Sequence, residues 1–155
     1  MKTQIKSSQL QTNDDIWNAV IHAICECDFP TENELINDAY LVFQFYSELE
    51  SGGFEALFNW WSEYIQEVGI HTYVQSVTSV LEKIGAYETA VIFKKYGEDM
   101  WSKFVTLETD EIDEEQFYEV IEKANSEYYA LNDQLQQMLE SYFVRIHTKI
   151  IEIID

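Results

Sequence analysis

Apolar residues along the chain recur at spacings of three and four rather than two, the signature of helices that pack by one face. Ile16, Trp17, Val20, Ile21 and Ile24 form the first stripe, with Asn13, Asp14 and Asp15 ahead of it as cap and first-turn acids. Pro30 ends that unit, and Thr31 with Glu34 has the spacing of a capping box. The helix that opens there carries Leu35, Ala39, Val42, Phe43, Tyr46 and Leu49 and closes at Ser51, Gly52 and Gly53. Phe54, Leu57, Phe58, Trp60, Trp61 and Tyr64 begin a third helix that runs to about Gly69, dense in aromatics that read as core.

Thr72 to Ile84 and Ala86 to Tyr96 read as a helix pair broken at Gly85, with Val77, Val80, Leu81 and Ile84 answering Ala90, Val91 and Phe93. Gly97 is expected to stop the second of these, ahead of Met100, Trp101, Phe104 and Val105. An acidic run then leads into Phe117, Val120, Ile121 and Ala124, and a long terminal helix is marked by Leu131, Leu135, Met138, Leu139, Tyr142, Phe143, Ile146, Ile150, Ile153 and Ile154. The expected fold is all-α: a single acidic domain of roughly seven to eight helices over residues 13–155, preceded by a loose polar segment over residues 1–12. The length of 155 residues fits one domain, and no internal repeat or linker interrupts it.

Charge changes this picture more than any other property. The chain has 29 Asp and Glu against 9 Lys and Arg, a formal net charge of -20, yet its 46% hydrophobic content is far above that of a disordered acidic tail. A folded surface this negative repels phosphate backbones and anionic headgroups, which argues against direct nucleic-acid or membrane binding and for a basic partner. The surplus is also unevenly placed. No Lys or Arg occurs between Ser7 and Glu82, a stretch that holds Glu48, Glu50 and Glu55. A second concentration comprises Glu108, Asp110, Glu111, Asp113, Glu114, Glu115, Glu119 and Glu122, with no base until Lys123. On a helix, Glu111, Glu115, Glu119 and Glu122 are same-face neighbours, a like-charge ladder that costs stability. The bland account is a solvated face whose first acids favour a helix amino terminus.

Other chemistry is thin. His22, Cys25, Cys27 and Asp28 crowd together but lack the spacing of a metal site, and two cysteines are too few for a disulfide framework. No nucleophile motif or phosphate-cradling glycine loop is present, so no catalytic residue, metal or cofactor is expected. The amino terminus lacks the apolar core of a signal peptide, and no run of about 18 uncharged apolar residues occurs, so a cytoplasmic location is expected. The apolar end Ile150-Ile151-Glu152-Ile153-Ile154 either seals the domain's own core or supports a homodimer.

Ser51-Gly52-Gly53-Phe54, followed by Phe58-Asn59 and by Ile84-Gly85-Ala86 with Thr89-Ala90, resembles the bacterial DNA-mimic protein family of small acidic helical domains, over roughly residues 30 to 150. Ser51 stands where that family usually has asparagine, and the segment from Trp60 to Gln75 is longer than in typical members. Ser51, Gly52, Gly53 and Gly85 are read as structural turn residues, because a helix end needs a residue comfortable at positive φ. The resemblance implies a non-enzymatic protein whose carboxylates imitate the charge pattern of DNA and occupy the basic surface of a DNA-binding partner such as a transcriptional regulator. An immunity-type protein that neutralises a basic toxin or nuclease uses the same charge and is the alternative, and an uncharacterised helical domain without mimicry is the third.

Overall fold

Thr12, one residue before the expected cap, starts the first helix: its hydroxyl accepts from Asp15 N–H at 3.1 Å while the Asp15 carboxylate accepts from Thr12 N–H at 3.1 Å. In the computed structural model, which describes residues 2–108 and 114–155, this is α1 (Asn13–Cys25). It is followed by α2 (Glu34–Val68), α3 (Ile70–Lys83), α4 (Tyr87–Glu108), α5 (Glu114–Tyr129) and α6 (Gln134–Ile150). The class is all-α, as expected, but the described residues hold six α-helices rather than seven to eight.

Two glycine positions account for the smaller number. At Gly52 and Gly53 the backbone leaves helical geometry where the sequence ended one helix and began the next, and the two helices that meet across this kink together make up α2; only Gly53 takes a left-handed angle, at φ 72°. Gly97 does not stop α4 at all. A Cβ there would sit 2.9 Å from Val74 Cγ2 and 3.2 Å from Phe93 Cε1, so the glycine lets α3 and α4 approach closely inside a continuous helix. Gly85 does separate two helices: at φ 92° its N–H donates to Glu82 O while Ala86 N–H donates to Leu81 O, a Schellman closure of α3. At the start of α2 the expected capping box is replaced. The Asn33 side chain accepts from Ile36 N–H at 3.2 Å, and Thr31 is held instead by three hydrogen bonds with Asn37.

Both ends of the chain differ from the sequence expectation. Thr3–Lys6 form β1, followed by a 3₁₀ turn at Ser7–Gln9, in the segment expected to be loose. The terminal helix stops at Ile150, and Ile151–Ile154 form β2, paired in parallel with β1 so that Thr3 faces Ile151 and Ile5 faces Ile153. Four residues of which three are β-branched favour the extended state once a partner strand is available. Ile151 joins the core, whereas Ile153 stays 42% exposed.

The core is aromatic. Trp17 of α1 meets Phe43 and Tyr46 of α2 and Phe143 of α6, while Phe54, just past the kink, meets Phe45, Phe93 and Tyr128. Phe58, Trp101, Phe104 and Phe117 form a third group joining α2, α4 and α5. Each fully buried ring contributes about 1.5–3 kcal/mol of transfer energy. These groups fix α5 against the kink of α2, which positions the acidic surface.

Candidate acidic interface

α5 is two-sided. Phe117, Val120, Ile121, Ala124 and Tyr128 are buried, and their spacing turns Glu114, Glu115, Glu119 and Glu122 outward, where all four are exposed. Glu114 and Glu115 lie in the first turn, where the helix dipole favours negative charge. Lys123 reaches Glu119 at 3.7 Å one turn away, an exposed pair of the kind that contributes about 0–1 kcal/mol and leaves the face acidic. Glu108 is the last residue of α4, and Asp110, Glu111 and Asp113 lie outside the described residues.

The second set of acids behaves differently, because α5 grips the kink of α2 with polar side chains. Phe54 N–H, freed by the non-helical turn at Gly52 and Gly53, donates to Asn125 Oδ1 at 3.0 Å. A Cβ on Gly53 would stand 2.7 Å from that oxygen, so glycine is required by both space and φ. Beside it, Tyr128 OH donates to Glu50 Oε1 at 2.9 Å and Tyr129 OH donates to Leu49 O at 3.0 Å. Further along, Tyr118 OH donates to Glu55 Oε1 at 3.1 Å. Burial, and after it the hydrogen bond to Glu50, pushes the Tyr128 phenol far above its ordinary value; for Tyr118 the hydrogen bond to Glu55 is the leading cause of a rise. Burial also raises the carboxyl of half-buried Glu48.

The structure therefore joins Glu50 and Glu55 to α5 through phenols and leaves Glu114, Glu115, Glu119 and Glu122 on its outer side. Glu55 links the two sets, since Tyr118, which it holds, also feels the charge of Glu114. Elsewhere the bases act as local countercharges: Lys83 pairs with Asp38, Lys94 with Glu82, Lys95 with Glu127 and Lys103 with Asp99.

His22 pairs with Glu26 at 3.1 Å and Cys27 Sγ donates to Ala23 O at 3.4 Å, so each is engaged by a neighbour four residues away at the end of α1. Among the described residues no three of His, Cys, Asp and Glu converge to hold a metal ion. No helix among them is long and apolar enough to cross a membrane.

Two aromatic and aliphatic positions that the periodicity placed in the core are instead at the surface. Trp60 is 77% exposed and Val91 61% exposed, the latter beside the equally open Tyr87 one turn earlier. At about 100° per residue, Trp61 falls within the buried stripe of Phe54, Leu57, Phe58 and Ile65, whereas Trp60 falls to one side of it. Trp61 takes the inner direction, against Phe29, Tyr40, Tyr64 and Tyr73.

Comparison with known proteins gives one family: the model described as DMP19-like protein matches residues 32–147, from the start of α2 to the last turn of α6. No curated protein and no solved structure matches the chain.

Proposed function

The chain belongs to the DMP19-like protein family, and from that membership we propose that it is a non-enzymatic DNA mimic, occupying the basic DNA-binding surface of a partner such as a transcriptional regulator. The observation that carries this reading is the outward face of α5. Glu114 to Glu122 cover about 12 Å of helix axis at 1.5 Å per residue. The four exposed carboxylates in that length amount to one charge per about 4 Å, close to the one per roughly 3.4 Å along a single DNA strand. Phenols and an amide from the same helix anchor it to α2, which supports a fixed array rather than a mobile tail.

A partner shaped to neutralise phosphates would meet carboxylates at similar density and exchange the counterions of one for those of the other. The acids work by long-range attraction followed by contact, and no bond is made or broken. Such association is fast at low ionic strength and slows steeply as the screening length shrinks from about 10 Å at 0.1 M salt to about 3 Å at 1 M. The test is the association rate of the chain with its DNA-binding partner across that range. A rate that falls at least tenfold supports mimicry; a rate indifferent to salt contradicts it.

A further inference from the structure

We propose that Trp60 is a contact through which the protein selects arginine over lysine on its basic partner. This rests on the reading of the acidic surface as a docking face for a basic protein. An indole exposed at 77% forgoes the burial that aromatic residues usually gain, and the other three tryptophans do not share its position: Trp17 and Trp61 are half-buried among rings and Trp101 is 8% exposed. Trp60 therefore contributes little to the core, and its replacement leaves the packing of α2 largely untouched.

Its surroundings fit one kind of occupant. On α2, Glu63 and Glu67 follow Trp60 by three and seven residues, which places both exposed carboxylates on its side of the helix. The stretch from Ser7 to Glu82 carries no Lys or Arg, so α2 supplies no cation of its own to the ring. Among the described residues the cation–ring contacts are Lys95 with Tyr96 and Arg145 with Tyr142, and neither involves Trp60. Indole is the strongest cation–π acceptor among the side chains, and the planar guanidinium can lie on its face while donating to a neighbouring carboxylate. The compact ammonium of lysine holds its water more tightly and gains less from the ring. A second copy of this chain would bring another -20 charge toward the same acidic face, so charge complementarity favours a basic protein.

The test titrates the full chain, with and without Trp60→Ala, against fluorescently labelled nona-arginine and nona-lysine, two probes of equal charge. The arginine probe is expected to bind more tightly to the unmodified chain. Trp60→Ala should reduce that preference about two- to fivefold, as expected for an exposed cation–π contact, while Trp60→Phe retains part of it. Circular dichroism should show the variants folded. A preference unchanged by Trp60→Ala, with both probes still bound, would overturn the role of Trp60 and leave the acidic docking surface standing. Failure of both probes to bind at low salt would overturn both. Loss of a dimer on Trp60→Ala, read by light scattering, would assign the face to a second copy instead.

Discussion

Glu50 and Glu122 are the same side chain at the same class of exposure, yet the first accepts a hydrogen bond from the Tyr128 phenol beside the α2 kink and the second stands on the opposite, outward side of α5. The difference divides the acids by what they touch. Around the kink, carboxylates are part of the scaffold: Glu50 and Glu55 receive phenols, and Asn125 completes the backbone of Phe54 between them. On the outer face of α5, Glu114, Glu115, Glu119 and Glu122 are exposed to solvent, with Lys123 beside Glu119. A single helix serves both purposes, with Tyr118 one turn from both Glu114 and Glu122 where the two groups meet, and the total of 29 acids conceals this division.

The comparison breaks first at the outer face. Replacing Glu114, Glu115, Glu119 and Glu122 together by lysine should slow association with a basic partner by about 10- to 1000-fold at low salt, the range electrostatic steering covers. The melting temperature should change little or fall slightly, since lysines at these positions form a like-charge ladder with Lys123 and replace the acids that the helix amino terminus favours. The inner set predicts the reverse pattern. Asn125→Leu leaves the buried Phe54 N–H without its acceptor and should cost about 1–3 kcal/mol in denaturant unfolding, with partner binding at low salt preserved in the folded fraction.

Smaller effects sharpen the same division. Tyr128→Phe removes the donor to Glu50 while keeping the ring against Phe54, and should cost about 1 kcal/mol in the same unfolding measurement. Glu48 gives the smallest effect and the only one with a pH signature. Burial raises its carboxyl in the folded state, so the fold favours the protonated form. Its contribution to stability therefore declines as pH rises from the ordinary carboxylate range through the raised value. Glu48→Gln should flatten that part of the stability profile and slightly raise the melting temperature at neutral pH.

Which parts of this arrangement the sequence disclosed follows from how local their causes are. The break at Gly85 was legible because a Schellman closure is satisfied within a few residues of the glycine. Gly97 looks the same in sequence but answers to Val74, more than twenty residues away on α3, and so the helix continues where a stop was expected. β2 escaped notice for a related reason: Ile150, Ile153 and Ile154 fit a helical stripe, and only the distant strand at Thr3–Lys6 decides for the extended state. The acids on α5 were visible as a same-sign run, whereas the tyrosines and Asn125 that tie Glu50 and Glu55 into the scaffold lie some sixty to eighty positions further on. Trp60 could have been separated from Trp61 by phase along the helix, since at about 100° per residue Trp61 lies within the stripe of Phe54, Leu57, Phe58 and Ile65 and Trp60 lies to one side of it.

The central claim is that the outward carboxylates stand in for phosphates, and displacement by DNA tests it most directly. The chain is immobilised, its DNA-binding partner is loaded at low salt, and duplex DNA is added at constant ionic strength. Mimicry predicts that the duplex releases the partner in proportion to its own affinity for that partner, and that the variant with the four α5 acids replaced by lysine retains little partner to release. A partner that stays bound to the chain while also binding the duplex would contradict it, since the two ligands would then occupy different surfaces.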